Sequence, residues 1–361
     1  FFRPSNRAPG PAPARASWTL LHEPKGCIVN QRYRPITRLG LGGTGLGDMY
    51  HTTSEEAGLA TVNAAWEAGI RYFDTAPHYG AGLSEHRFGQ ALRRRPRDDY
   101  TLSTKVGRLL VPDPVGEIAA PFVSALPFRR VIDYTADGAR RAVEDSLQRL
   151  ALGHVDIVYV HDLSPDALPR AEFEHYFGIA AGRNGAFEGL VRMREEGLIK
   201  GWGMGVNTVE PCLRALQQSD PDIFLLAGRY TLMETTPLAE FFPLCAERGA
   251  SVVLGGPYNS GFLAGGEHYD YLPASPEKHA QRERLRQVAA GHGVDLAAAA
   301  LQFGAAHPVV AATIPGASSP EHLRRNAVLM SMPIPRAFWD ALVAQGLVPP
   351  GAPLPQGPEG V

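Results

Sequence analysis

The chain has 361 residues, 44% apolar and 20% charged, with a net charge of −2. These values describe a globular chain long enough for one large domain or two ordinary ones. They exclude the basic footprint of a nucleic-acid or anionic-membrane binder. No apolar run reaches the roughly 18 residues of a membrane-spanning helix. Cys27, Cys212 and Cys245 stand far apart in no metal-ligand spacing, as expected for reduced thiols in a cytoplasmic protein.

The first stretch, Phe1 to Ser17, is rich in Pro, Ala and Arg and lacks the apolar core of a secretory signal, so residues 1–33 are expected to form an extended N-terminal extension. A strand is predicted over Ile36 to Leu41, leading into Gly42-Gly43-Thr44-Gly45-Leu46-Gly47. Gly40, Gly42 and Gly45 have the spacing of a dinucleotide fingerprint, but that motif requires a helix to start at once. Here the glycines run into Asp48-Met49-Tyr50-His51. The better reading is a flexible loop whose backbone, at Gly43 and Thr44, can approach a ligand. A capping box at Thr53-x-x-Glu56 then opens a helix to about Ala68, closed by Gly69. The strand Ile70 to Ala76 carries Asp74 near its end, with Tyr79 in the loop beyond, before a helix over Ser84 to Leu92. Tyr100 to Val106 is the next strand, with Lys105 at its C-terminal end.

Residues 108–134 hold Pro112, Pro114, Pro121 and Pro127 together with Phe122, Phe128 and Tyr134, and read as a long loop forming the wall of a pocket. Thr135 to Leu150 is an amphipathic helix, and the strand Val155 to Val160 ends in His161-Asp162. A second long loop is expected over 164–183, with Phe173, Tyr176 and Phe177. Strands at Ile199 to Val206 (followed by Asn207), Ile223 to Tyr230, Ser251 to Leu254 and Val309 to Ile314 then alternate with helices, the last over Pro320 to Met330. Eight short, apolar, unalternating strands, each followed by a helix, predict an α/β fold: a (β/α)8 TIM barrel over residues 34–332, with long loops after strands 3 and 4. A C-terminal helix and Pro-rich tail follow over 333–361. A doubly wound open sheet is disfavoured, because polar residues follow many strands and not one switch point.

In a barrel all strand C-termini face one mouth. Asp74, Lys105, His161 and Asn207 end four of the strands, and Tyr79 follows the first of them. Taken singly, the Asp is a turn residue, the His a cap and the Lys a surface charge; together they form a proton-handling set. A phenol ordinarily titrates near 10. Lys105, charge-paired with Asp74, is expected to lower the pKa of Tyr79 so that it exchanges a proton near neutrality. His161 would donate a hydrogen bond to a carbonyl oxygen, and a carbonyl so polarised still needs a hydride, which a nicotinamide supplies. No metal-ligand cluster is visible.

Three segments, Asp74-Thr75-Ala76-Pro77-His78-Tyr79-Gly80, Ser103-Thr104-Lys105-Val106-Gly107 and Asp156-Ile157-Val158-Tyr159-Val160-His161-Asp162, resemble the signature segments of the aldo-keto reductase superfamily. Gly80-Ala81-Gly82-Leu83-Ser84-Glu85, Ala227-Gly228-Arg229-Tyr230-Thr231-Leu232 and Asn259-Ser260-Gly261 resemble the branch that contains D-threo-aldose 1-dehydrogenase, L-fucose and L-galactose dehydrogenases and pyridoxal 4-dehydrogenase. The resemblance implies Tyr79 as acid/base, Asp74 and Lys105 as its tuners and His161 as the substrate-orienting donor. For an NAD(P) cofactor it implies Gly43, Thr44, Asn207 at the carboxamide, Ser260 and Gly261, the segment Ile314 to His322 with Gly316 and Ser318 at the adenosine phosphate, and Asn326 at the adenine. Gly316 and His322 stand where NADP-selective relatives carry Lys and Arg, so NADP selectivity is not expected unless Arg324 or Arg325 compensates. Glycine at 255 or 256 replaces a nicotinamide-stacking aromatic, for which Tyr258 is the candidate substitute.

The expected activity is therefore an NAD(P)-dependent oxidoreductase acting on a small molecule, oxidising an aldose at C1 to a lactone. An NAD(P)H-dependent reductase of a ketone or aldehyde uses the same site in reverse, and a cofactor-binding regulatory subunit is the reading from another class. The chain is expected to work as a monomer or homo-oligomer, without nucleic acid or membrane.

Overall fold

The unalternating apolar runs form strands with both faces covered, as parallel sheets require. In this computed structural model, which describes residues 32–116 and 121–356, they are β1 (Leu41–Gly42), β2 (Tyr72–Asp74), β3 (Thr101–Val106), β4 (Ile157–His161), β5 (Gly201–Val206), β6 (Ile223–Ala227), β7 (Ser251–Gly255) and β8 (Val310–Ile314). They pair in parallel in chain order, and parallel bridges from Leu39 to Thr313 and from Gly42 to Gly316 join the last strand to the first. The result is a closed (β/α)8 barrel. The expectations for residues 1–31, Cys27 included, and for 357–361 lie outside the described residues. No helix among the described residues is long and apolar enough to cross a membrane.

Successive strand residues point to opposite faces. Tyr72, Ile157, Tyr159, Ile223, Leu225, Val253, Ala312 and Ile314 fill the barrel interior. Phe73, Leu102, Val158, Val160, Trp202, Phe224 and Leu254 face the helices. Inside, the Tyr72 hydroxyl meets Tyr159 and Ser103 hydroxyls at 3.1 Å each. The same parity that turns Tyr72 inward turns Asp74 inward, and Ile157 and Tyr159 bring His161 with them. The helix Arg336–Ala344 buries Phe338, Trp339 and Leu342 in the outer core.

Three local expectations change. The first helix, Glu55–Glu67, is capped by Ser54, whose Oγ accepts from the Ala57 amide, while the Thr53 hydroxyl donates to the Gly45 carbonyl. The long loop after β3 contains an antiparallel hairpin, Arg108–Pro112 with Phe128–Ile132. Its proline-rich tip hid two short runs of strand-forming residues. The segment after β4 contains a helix, Arg170–Ala181, with Phe173, Phe177 and Ala180 buried; that spacing was a helical signal. Those phenylalanines therefore belong to the core and not to a pocket wall.

Nor is the glycine loop free. Arg87, 3% exposed, donates to the Asp48 carboxylate at 2.7 Å, the Leu46 carbonyl at 2.8 Å, the Thr53 carbonyl at 2.5 Å and Glu55 at 2.9 Å. A buried guanidinium with all these partners clamps the turn between β1 and the first helix. Gly43 is required here by close packing, since a Cβ would lie 2.6 Å from the Asp74 carbonyl, the Phe88 ring and the Ser84 hydroxyl. Gly43→Ala should therefore lower unfolding free energy by about 1–3 kcal/mol, the usual cost of overpacking. Denaturant titration checks this, and an unchanged midpoint would contradict the packing assignment.

Candidate active site

Strand parity delivers Asp74, Lys105 and His161 to the lumen at the C-terminal ends of β2, β3 and β4. Lys105 Nζ donates to Asp74 Oδ2 at 2.7 Å and to the Thr75 carbonyl at 2.8 Å. Asp74 Oδ1 accepts from the Ser103 hydroxyl at 2.6 Å. The two charged side chains are 2% and 3% exposed. Tyr79 enters from the turn after β2, where Gly80 (φ 62°) and Ala81 (φ 52°) take left-handed backbone. Its ring lies with the centroid 4.6 Å from Lys105 Nζ and 5.7 Å from that of His161, at 83°. The His161 carbonyl accepts from the Tyr134 hydroxyl at 2.7 Å and from Arg108 at 3.3 Å. His161 Nε2 faces Asp162 Oδ1 at 3.5 Å, which favours the neutral tautomer carrying its proton on Nε2.

Burial dominates the electrostatics. It pushes the Asp74 carboxyl up and the Lys105 ammonium down, and each charge opposes the shift of the other. It holds His161 neutral, well below the ordinary imidazole value, with Arg108, Lys105 and His78 acting the same way. The Tyr79 phenol departs from expectation. Burial, followed by the charges of Asp74 and Asp162, pushes it well above its ordinary value, and Arg108 is the cation that pulls it down. The lowering expected from Lys105 does not outweigh burial, since its ammonium is charge-paired with Asp74 at 2.7 Å. The phenol is therefore protonated at neutral pH.

The site has neighbours that strand-end reading does not find. His78 sits edge-on to His161 and Phe122, with ring centroids 5.7 and 5.3 Å away. Burial, with Arg108 and Arg130, lowers its pKa to about 3. Phe122 is buried, 6.3 Å from Tyr79, so this part of the loop after β3 does wall the pocket as expected. Across the mouth, a two-stranded ribbon (His268–Tyr269 with Leu272–Pro273) follows β7 and carries Tyr271 at its tip. Tyr50, from the glycine loop, stacks on His268 at 5.5 Å. Arg108 opens the hairpin after β3, where no periodicity in the sequence marks a residue as facing the site.

The cofactor candidates lie along the same rim. Asn207 follows β5, and its amide donates to Asp166 at 3.2 Å. Gly43 is buried, Thr44 is partly exposed, and Gly316 is exposed beside Thr44. Ile314 ends β8. Ser318 meets His51 at 2.9 Å. The helix Pro320–Ser331 opens at Ser319, whose Oγ accepts from the His322 amide. His322, Arg324 and Arg325 are exposed on its first turns, and Arg325 has only a loose ion pair with Asp295, at 3.9 Å. Ser260 and Gly261 take left-handed backbone after β7. Tyr258 donates to Asn326 Oδ1 at 2.8 Å. That bond ties Tyr258 to the Asn326 end of the rim, which argues against its standing in for a nicotinamide-stacking aromatic. A helix N-terminus with hydroxyls and arginines suits a phosphate, and a phenol–amide pair suits a purine. The residues present thus fit a nicotinamide dinucleotide.

The aldo/keto reductase family model matches residues 38–345. The chain is 40% identical to pyridoxal 4-dehydrogenase of Microbacterium luteolum, over 87% of this chain and 95% of that protein. It is 36% identical to D-threo-aldose 1-dehydrogenase of a Pseudomonas species, over 87% and 95% of the two chains. An aldo-keto reductase from Bacillus halodurans, solved in its holo form, superposes with a TM-score of 0.67 at 25% identity, covering 88% of this chain and 96% of that one. A closed eight-stranded barrel, a mouth built on a buried Lys–Asp pair beside a tyrosine and a histidine, and a family match spanning that barrel agree: this chain belongs to the aldo/keto reductase family and is an NAD(P)-dependent oxidoreductase.

Proposed function

We propose that the protein oxidises a hydroxylated substrate at an aldehyde-level carbon, specifically an aldose at C1 to its lactone, with Tyr79 as acid/base, Asp74 and Lys105 as its supports and His161 as the orienting donor. The observation that carries the reading is the convergence of a protonated phenol, a neutral imidazole and a buried ion pair at one barrel mouth. The names of the relatives support the direction, since one is a dehydrogenase of pyridoxal and the other of an aldose. The buried free thiols Cys212 and Cys245 fit a reducing, cytoplasmic setting.

The residues divide the work by position. His161 Nε2 donates to the substrate oxygen and fixes its distance from Tyr79. The Tyr79 oxygen, as phenolate, takes the hydroxyl proton during oxidation; in reduction the phenol returns it. Lys105 sits against the tyrosine ring and stabilises the phenolate when it forms, while Asp74 keeps Lys105 charged and in place. When bound, the nicotinamide accepts or supplies the hydride.

Tyr79→Phe removes only the hydroxyl. Its kcat should fall by about 10²-fold or more, the usual contribution of a positioned acid/base, with an unchanged melting temperature. Undiminished turnover would rule out the assignment of Tyr79. The raised phenol pKa sets the pH dependence. Oxidation needs the deprotonated form, so kcat/KM for oxidation should climb close to tenfold per pH unit up to about pH 9, and reduction should stay level over that range. Parallel pH profiles in the two directions check this, and a plateau in oxidation near neutrality would contradict it. For the cofactor, exposed Gly316 and His322 offer no fixed cation to a 2′-phosphate. NAD should therefore support turnover at least as well as NADP. A large NADP preference in steady-state kinetics, abolished by Arg324→Ala or Arg325→Ala, would overturn that expectation.

A further inference from the structure

Asp162 has a place in this site that the acid/base set does not use. It is the first residue beyond β4, and parity would turn it away from the lumen. Its φ of 47° is left-handed, and its amide donates to the Gly205 carbonyl at 3.0 Å. That turn brings the carboxylate back beside His161. Oδ1 lies 3.5 Å from His161 Nε2, and Oδ2 is ion-paired with Arg108 at 3.2 Å. Left-handed backbone in a non-glycine residue is held only where surrounding contacts enforce it, and such positions cluster at ligand sites.

The contrast with Asp74 is informative. Asp74 is 3% exposed and saturated by Lys105 and Ser103. The Asp162 side chain is 22% exposed with one cation at longer range, which leaves acceptor capacity open to the mouth. Any oxygen bound at His161 Nε2 has Asp162 Oδ1 as its neighbour. Tyr271 stands at the tip of the ribbon after β7, and burial first, then Tyr79 and Asp162, push its phenol up. Its φ is 66°. The ribbon is fixed by Ser260 Oγ accepting from the Tyr271 amide at 2.9 Å, Asn259 accepting from the Asp270 amide at 2.9 Å and Arg229 on Asp270 at 2.8 Å. A carboxylate with spare acceptor capacity beside a donating imidazole is the chemistry that holds adjacent oxygens of a hydroxylated carbon chain.

We propose that Asp162, held by Arg108 beside His161, binds a hydroxyl carried on the carbon next to the reacting one, and so selects hydroxylated substrates over plain carbonyl compounds. This rests on the barrel mouth being the reaction site, as proposed above.

The test compares glycolaldehyde with acetaldehyde in reduction, and an aldose with its 2-deoxy counterpart in oxidation, for the wild type and Asp162→Asn. The wild type should favour the hydroxylated member of each pair by about tenfold or more in kcat/KM, the usual worth of a charge-assisted hydrogen bond. In Asp162→Asn the loss on glycolaldehyde should exceed the loss on acetaldehyde at least tenfold. Equal losses on both members, or a wild type without preference, overturn the proposal. If no aldose is oxidised while the glycolaldehyde preference and its collapse in Asp162→Asn hold, the aldose reading fails and the role of Asp162 stands. If aldoses are oxidised and the ratios do not move, the reverse is true.

Discussion

The buried ion pair between Lys105 and Asp74 is the constraint on which the rest of this structure depends. Two charges taken out of water are tolerated only with close geometry and further hydrogen bonds. Here the separation is 2.7 Å, and the Ser103 hydroxyl and Thr75 carbonyl complete the set. Removing one partner of such a pair costs about 3–5 kcal/mol, because the other charge is left stranded. Barrel integrity and site integrity are therefore the same problem. The interior below the pair answers it with a polar layer of Tyr72, Tyr159 and Ser103, so the ions do not rest on hydrocarbon alone.

That pair also sets the character of the tyrosine. Burial, with the charges of Asp74 and Asp162, keeps the phenol protonated beside the paired Lys105. The nearby imidazoles of His161 and His78 are held neutral by the same burial and by Arg108. Arg108 thus acts on several groups at once: it contacts the His161 carbonyl and Asp162, and it is the cation that lowers Tyr79. It comes from the hairpin that begins two residues after β3, so the strand that supplies Lys105 also supplies the arginine that shapes the field around it.

Much of this was legible before any coordinates. A barrel strand alternates faces with period two, and its end faces the mouth. Asp74, Lys105 and His161 could be found as polar residues at the ends of apolar runs, and the structure brings their side chains together with Tyr79. The helix Arg170–Ala181 was also legible in the spacing of Phe173, Phe177 and Ala180, but its loop-like flanks obscured it. The hairpin after β3 was not, because proline and glycine at its tip read as irregular chain while its pairing is a contact between segments some 20 residues apart.

What the sequence by itself determined is the barrel and the polar residues at its strand ends, because the recurrence of apolar runs and helical spacings is a local property of the chain. Only the tertiary structure decided the protonation of Tyr79, the clamp of Arg87 on the glycine loop and the company of Asp162. The reason is physical. A pKa, a buried guanidinium's partners and the direction of a carboxylate depend on distances and burial among groups far apart in sequence, as between Asp162 and Arg108. No residue pattern records a distance.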